Sequence, residues 1–316
     1  MNNVKVSQIC TLKNEEYSIK EFIDSLLSQS RSPDDIIIVD GGSTDRTVEI
    51  LKSYIENGAS IKLITESGAN IARGRNIAIK NAKYDIIAST DAGCRVEKDW
   101  LKYLIKPFEE DPSVDVVSGW YEADARSWFE SCVAEFSYPK LSQVMRDSNL
   151  FLPSSRSVAF KKSCWEKIGG YPEWLYTAED TLFDIKLKEA GCKFYFAKNA
   201  IVYWRVRSSL KSFLKQQYLY AKGNGEAKLF PPKVLIIGSI LQIFLAVFSL
   251  YNSIYLILLI AWTFKYVLFS LRRIPKSNSN KLKNFLLYSI LIFGCDIVQI
   301  LGYLRGRLKS ITMLDK

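Results

Sequence analysis

The side chains of this sequence that could move a proton are mainly carboxylates, because the chain of 316 residues contains no histidine. Imidazole catalysis and imidazole ligation of a metal are therefore both excluded. The stretch DIIASTDAGC ends an apolar run on Asp91 and continues with Ala92 and Gly93, so a single acid stands there. Two adjacent acids, Glu179 and Asp180, begin the helical pattern EDTLFDIKLKEAG. These carboxylates are candidates for acid–base catalysis and metal ligation.

The cysteines and the N-terminus favour a cytosolic compartment. The six cysteines are scattered and include no C-x-x-C pair, which argues against a zinc site and against a disulfide framework. The first residues, MNNVKVSQIC, lack the charged segment and apolar run of a signal peptide. We expect reduced thiols.

The formal net charge of +10 comes largely from basic residues beside the apolar C-terminal segments. Such clustering favours anionic lipid headgroups over nucleic acid as the partner. The oligomeric state is left open.

The first 122 residues alternate short apolar runs with helical patterns. This alternation predicts an α/β domain with right-handed crossovers and a mostly parallel sheet covered by helices on both faces. Asp40 and Asp91 each end a predicted strand. Ligands of such sheets bind at the carboxyl ends of the strands, although an acid there can also serve as a helix N-cap.

Residues 126–228 have a mixed pattern. It predicts one long helix over 127–146, a strand over 154–160, a helix from Glu179 and a strand over 193–204.

The composition changes after Pro231 and Pro232. Residues 234–271 form two apolar runs that predict a membrane hairpin, and the basic segment 272–283 marks its cytoplasmic side. A third apolar run, 285–304, contains Asp296 and fits an interfacial placement as well as a third crossing. We expect a catalytic domain over 1–230 and a multi-pass membrane region over 231–316.

Four stretches, CTLKNEE, VDGGSTDRT, ARGRN and TAEDTLF, together resemble the inverting glycosyltransferases of family 2 in order and spacing. The resemblance covers residues 5–225. It implies the GT-A fold, a Rossmann-like α/β architecture, and a nucleotide-diphosphate sugar as donor.

The resemblance also implies roles for donor-binding residues. Thr11 and Glu15 are similar to residues that meet the base and ribose, Asp40 to an acid that accepts a hydrogen bond from the base, and Arg75 to an arginine beside base and diphosphate. A fixed carboxylate can read the donors of a base, and a guanidinium suits a diphosphate.

Asp91 matches the first acid of the family's D-x-D motif, whose last acid ligates a divalent metal. Gly93 stands at that last position, and Trp204 stands where relatives often carry a histidine ligand. One alternative is that Asp91 alone, with phosphates and waters, holds Mg²⁺ or Mn²⁺. The other is that arginines stabilise the leaving diphosphate, with Asp91 holding either the donor's ribose or a loosely bound Mg²⁺. The candidate arginines are Arg73, Arg75, Arg205 and Arg207.

Asp180 resembles the family's catalytic base, and Glu179 would position it or raise its pKa. Without the resemblance, both acids are explained as favourable charges in the first turn of a helix. A base implies an acceptor hydroxyl, on a lipid-linked saccharide or other glycan. Processive relatives carry a Q-x-x-R-W element, whereas this chain has Gln216 and Gln217 without Arg-Trp, so single additions are expected.

Three other functions account for parts of the sequence. A membrane-tethered pseudoenzyme that binds a nucleotide sugar or glycolipid without turnover would explain Gly93 and Trp204, while Asp180 argues against it. Transfer to a polyprenyl phosphate would need no base. A nicotinamide-dependent dehydrogenase would require G-x-G-x-x-G after the first strand, where TLKNEE stands instead.

Overall fold

The computed structural model describes residues 4–148, 151–271 and 281–314. By compactness these fall into two units, one made of Met1–Asp124 with Pro139–Arg205 and the other of Ala125–Tyr138 with Val206–Lys316. Most of the basic segment 272–283, which the sequence predicts on the cytoplasmic side, lies outside the described residues, since residues 272–280 are among those not described.

The first unit contains one eight-stranded sheet in the order β3-β2-β1-β4-β7-β6-β8-β5. Its strands are β1 Val6–Leu12, β2 Asp35–Asp40, β3 Lys62–Thr65, β4 Ile86–Ser89, β5 Cys94–Val96, β6 Val116–Asp124, β7 Val158–Lys161 and β8 Phe194–Arg205. Only β5 and β7 run antiparallel to their neighbours. The predicted mostly parallel sheet is confirmed.

Helices cover both faces of this sheet. They are α1 Ile19–Leu27, α2 Thr47–Glu56, α3 Ile71–Lys80, α4 Trp100–Glu110, α6 Leu141–Val144, α7 Lys162–Lys167 and α8 Glu179–Glu189. Alternate residues of β2 separate the two layers, because Ile36 and Ile38 pack with α1 and α2 whereas Ile37 and Val39 pack with α3 and α8. The fold is the expected α/β sandwich.

Two local predictions in the mixed region were wrong. The single helix over 127–146 is broken by Pro139, because Tyr138 adopts an extended backbone at the end of the first helix. The strand over 154–160 begins only at Val158 and is β7. The short strand β5 had no counterpart in the predicted elements.

The second unit is helical. It contains α5 Trp128–Ser137, α9 Leu210–Glu226, α10 Lys233–Phe248, α11 Ser253–Leu271 and α12 Lys281–Leu314. Helices α9 and α12 pack closely where glycines face the opposite backbone: a Cβ added at Gly306 would stand 2.1 Å from the carbonyl oxygen of Lys222. Small residues permit such an approach between helices.

The predicted apolar hairpin and third apolar run are helices α10, α11 and α12. Among the described residues, one helix, Leu282–Thr312 within α12, is long and apolar enough to cross a membrane by length and composition. The apolar helices Ile236–Phe248 and Ser253–Phe264 are shorter. Both present large aliphatic side chains outward, since Ile240 of α10 and Ile257 of α11 are 62% and 64% exposed.

Candidate active site

The candidate site lies at the carboxyl ends of parallel strands of the first unit. Thr11 and Asp40 belong to the ends of β1 and β2, which pair in register, and Asp91 follows β4 on the other side of β1. Arg75 lies on α3, whose first turn is capped by the side chain of Asn70. Chain segments far apart in sequence therefore meet at one sheet edge, as the alternating pattern predicts.

Arg75 joins two of the predicted acids. Its Nη2 donates to Asp91 Oδ1 at 2.8 Å and its Nη1 donates to Glu179 Oε1 at 2.7 Å, while the side chain is 3% exposed. Burial lowers the pKa of Arg75, but Asp91 and Glu179 outweigh it and raise the pKa above its usual range. The arginine that was predicted to contact the donor is thus enclosed between the D-x-D position and the base motif.

The pair Glu179 and Asp180 begins α8 in two different environments. Glu179 is buried, and burial followed by the charge of Asp180 raises its pKa to about 7, against the lowering effect of Arg75. Asp180 is partly exposed, and its Oδ1 accepts from the backbone N–H of Thr181 at 2.8 Å. Of the two, Asp180 is the acid that an acceptor can approach.

The backbone before this pair is strained. Ala178, the residue preceding α8, has φ of 64° and ψ of 14°. These angles lie in the left-handed region, which is unfavourable for residues other than glycine. Such a conformation costs about 1–3 kcal/mol and is concentrated at functional sites. The sharp turn at Ala178 directs Glu179 inward to Arg75 and leaves Asp180 at the helix start.

Asp40 and the first loop are held by their own neighbours. The buried Asp40 carboxylate accepts from the backbone N–H groups of Gly42 and Ser43, at 3.1 Å each. Glu15 accepts from the hydroxyl of Ser18. Thr11 packs against α3 so closely that a Cβ at Gly74 would stand 2.2 Å from Thr11 Oγ1. Their roles toward a donor stay predictions.

The other predicted arginines have different surroundings. Arg73 is half exposed and paired with Glu66. Arg205 donates to the backbone carbonyl of Asp124 at 3.1 Å, and its own N–H donates to the carbonyl of Gly93. Arg207 belongs to the second unit.

Arg156 is the residue that sequence reasoning missed. Its Nε lies 3.9 Å from Asp91 Oδ2, and its guanidinium carbon lies 3.5 Å from the ring centroid of Trp204. The side chain is 15% exposed. The signal in the sequence is a lone arginine two residues before the apolar run VAF, but its proximity to Asp91 depends on the antiparallel direction of β7, which the sequence pattern does not reveal.

Within the described part of the chain, Asp91 does not belong to a group of three or more potential metal ligands. Both of its oxygens face guanidinium groups, from Arg75 and Arg156, and Gly93 adds no side chain. Among the described residues, the group of three potential ligands that lie together is Asp115, Cys164 and Cys192. It lies at the amino ends of β6 and β8, the opposite sheet edge, and Lys161 already pairs with Asp115 at 2.9 Å. The residues around Asp91 therefore do not fit a tightly bound divalent cation.

The chain matches the family model described as "Glycosyl transferase family 2" over residues 7–168, just over half its length. It is 25% identical over 246 residues to a poly-beta-1,6-N-acetyl-D-glucosamine synthase of Staphylococcus aureus, covering 73% of this chain and 60% of the relative. A synthase of the same name from Staphylococcus epidermidis is 23% identical over 229 residues, covering 71% of this chain and 55% of the relative. The chain thus spans between half and two thirds of the length of these relatives.

Solved structures share the fold. A mannosyltransferase of Pyrobaculum calidifontis, solved with GDP-Man and Mn²⁺, superposes with a TM-score of 0.59 at 19% identity over 97% of this chain and 87% of the other. GalNAc-T7, solved with UDP, GalNAc and Mn²⁺, gives 0.53 at 18% identity over 73% of this chain and 52% of the other. These likenesses confirm a GT-A-like fold, and the family match shows that the chain is an enzyme that belongs to glycosyl transferase family 2.

Proposed function

We propose that the protein is an inverting glycosyltransferase that moves a sugar from a nucleotide-diphosphate donor to a hydroxyl of a lipid-linked saccharide or other glycan. The observation that carries this proposal is the Arg75 bridge, which joins Asp91 at the donor edge to Glu179 beside the base. Poly-N-acetylglucosamine synthases are among the relatives, and the mannosyltransferase of similar fold was solved with a nucleotide sugar. Both support a sugar nucleotide as donor.

The proposed step is a single displacement. The acceptor oxygen attacks the anomeric carbon from the face opposite the diphosphate, and its proton passes to Asp180 Oδ2, because Oδ1 already accepts from Thr181. The bond between the anomeric carbon and the phosphate oxygen breaks, and its electron pair leaves with the nucleoside diphosphate. Glu179 acts as a positioning residue through its ion pair with Arg75.

The donor-binding roles of Thr11, Glu15, Asp40, Arg205 and Arg207 remain part of this proposal. Because the residues around Asp91 do not fit a tightly bound cation, we assign no step to Mg²⁺ or Mn²⁺. Measurement with and without a chelator tests this assignment.

We further propose that residues 231–316 anchor the catalytic domain, residues 1–230, to the cytoplasmic face of a membrane through several helices. The exposed aliphatic side chains of α10 and α11 and the apolar length of α12 support this placement. Retention of the protein in the membrane pellet after alkaline extraction is expected. Truncation after residue 230 should release it, whereas a pelleted truncated chain would contradict the anchor.

The decisive experiment on the chemistry replaces Asp180 by Asn. The purified protein is incubated with a panel of UDP and GDP sugars and with lipid-linked and free glycans, and transfer is scored by product mass. D180N should lower the transfer rate by a factor of about 10²–10⁴, the usual contribution of a general base, while nucleotide binding is retained. The control is E189Q at the exposed end of the same helix.

An unchanged rate in D180N would remove Asp180 as the base. Binding of a nucleotide sugar by the wild-type protein, without transfer to any acceptor, would favour the pseudoenzyme. Products that carry one added sugar are expected for single additions, and long polymers would contradict them.

A further inference from the structure

We propose that the guanidinium of Arg156 binds the diphosphate of the donor and stabilises the leaving nucleoside diphosphate, the task that a divalent cation performs in other enzymes. This inference rests on the proposed function, because it takes a sugar nucleotide as the ligand. No sequence motif assigned a role to Arg156.

The sheet places Arg156 opposite Asp91. Strands β4 and β7 are antiparallel with Ser89 across from Val158, so continuing the register by two residues brings Arg156 across from Asp91. The ion-pair distance of 3.9 Å between Nε and Oδ2 agrees with this register. Arg156 therefore lies at the carboxyl end of β4, the edge where ligands of such sheets bind.

The neighbouring side chains hold the Arg156 guanidinium in a fixed orientation. It stacks on Trp204 with 3.5 Å between its central carbon and the ring centroid, Tyr121 lies 5.5 Å away, and Nη1 donates to Ser154 Oγ at 2.8 Å. A planar cation that is already ordered loses little freedom when it binds a phosphate in a bidentate manner. A fixed positive charge at the leaving group is a direct way to stabilise a transition state in which charge develops there.

Burial and pairing distinguish Arg156 from the other arginines of this edge. Arg75 is enclosed by two carboxylates at hydrogen-bonding distance and is 3% exposed, whereas the Nε of Arg156 lies 3.9 Å from Asp91 Oδ2 and its side chain is 15% exposed. Arg73 is paired with Glu66 on the exposed face of α3. Since the residues around Asp91 do not fit a cation site, Arg156 is the positive group best placed for a diphosphate there.

When the bond between the anomeric carbon and the phosphate oxygen breaks, that oxygen receives the electron pair. In the proposal the N–H groups of Arg156 donate to the diphosphate and no proton leaves the guanidinium. The proton of the acceptor goes to Asp180, so the two residues serve opposite ends of the same displacement.

The test compares R156Q and R156K with R95Q as a matched control. Arg95 also stacks on an aromatic ring of β8, 4.2 Å from Tyr203, and has a carboxylate neighbour, Glu21. Tyr203 and Trp204 are consecutive on the strand and point to opposite faces of the sheet. Binding of UDP, GDP, uridine and guanosine to the full-length protein is measured by calorimetry, with and without excess chelator, and transfer rates are measured in parallel.

R156Q should bind the nucleoside diphosphate that the wild type prefers about 10–100-fold more weakly, as expected for lost charge-assisted hydrogen bonds. Its affinity for the corresponding nucleoside should equal that of the wild type. The transfer rate should fall by about 10²–10³. R156K should retain part of the affinity, R95Q should match the wild type, and the chelator should change neither binding nor rate. The melting temperature of each variant confirms folding, and R156K alone decides if R156Q does not fold.

Wild-type affinity of R156Q for the diphosphates would overturn the assignment of Arg156 and leave the proposed function intact. The same conclusion would follow if R156Q bound the nucleosides as much more weakly as it bound the diphosphates, or if the chelator abolished binding to the wild type. It would also follow if R156Q lost only the ability to use an anionic acceptor. A wild-type protein that binds no nucleotide of the panel would refute the proposed function and this inference together.

Discussion

Replacing Arg75 by Gln is expected to destabilise the protein strongly, because it leaves Glu179 buried without its ion pair. Arg75 and Glu179 are 3% and 7% exposed and lie 2.7 Å apart, and the same guanidinium holds Asp91 at 2.8 Å. Removing one partner of a buried ion pair costs about 3–5 kcal/mol, since an uncompensated charge stays in a medium of low polarity.

Arg73 provides a matched control two residues earlier on the same helix. It pairs with Glu66 at 2.5 Å, but the two side chains are 53% and 35% exposed. Exposed ion pairs contribute about 0–1 kcal/mol. Because 1 kcal/mol shifts the melting temperature of a unit of this size by about 2–4 °C, R75Q should melt roughly 6–20 °C lower and R73Q within about 4 °C of the wild type.

The assay is thermal unfolding followed by tryptophan fluorescence on the full-length protein in detergent. The double variant R75Q/E179Q should recover part of the loss, because a neutral amide replaces the stranded carboxylate. The argument that burial makes the Arg75 ion pairs strongly stabilising would be refuted by either of two results. R75Q would melt within about 4 °C of the wild type, as expected for R73Q, or the double variant would be less stable than R75Q.

Two further predictions concern helix packing and pH. Gly306→Ala should lower the melting temperature because its Cβ would stand 2.1 Å from the carbonyl oxygen of Lys222. Gly238→Ala is the control, because its Cβ would stand 3.7 Å from the Trp262 ring, and this substitution should be neutral or stabilising. Equal effects of the two substitutions on the melting temperature would contradict the close helix packing. Because the pKa of Glu179 is raised from 4.5 to about 7, the folded state binds a proton that the unfolded chain releases. This contribution is present below pH 4.5 and lost as the pH rises through about 7, so the wild type should lose up to ~3 kcal/mol relative to E179Q between pH 5 and 8. If the difference in melting temperature between the wild type and E179Q stayed constant from pH 5 to pH 8, the pKa of Glu179 would not be raised by folding.

The sequence was informative where a local pattern determines structure. Apolar runs such as DIIIVD and helical patterns such as EDTLFDIKLKEAG predicted β2 and α8, because burial of one face requires those periodicities. The break at Pro139 could also have been predicted, since the residue before a proline avoids the helical conformation. Strand β5 has three residues, too few to show a period.

The candidate site was predicted only in part, because its contacts depend on which strands pair and in which direction. The resemblance pointed to Asp91 and to Glu179 with Asp180, and the structure links Asp91 to Glu179 through Arg75. The chain from Arg75 to Glu179 spans 104 positions, so no local pattern could show that one guanidinium binds both acids. The contact between Arg156 and Asp91 depends on the antiparallel pairing of β4 with β7.

The different burial of Arg75 and Arg156 implies a division of labour at Asp91. Two carboxylates balance the charge of Arg75, so a diphosphate would gain little from it and its loss should appear first as reduced stability. The Nε of Arg156 lies 3.9 Å from Asp91 Oδ2, beyond hydrogen-bonding distance, and its guanidinium stacks on the face of Trp204, so its loss should appear first in diphosphate binding. Comparing R75Q with R156Q in both assays therefore separates the two roles. R75Q should cause the larger drop in melting temperature, and R156Q should cause the larger loss of diphosphate affinity.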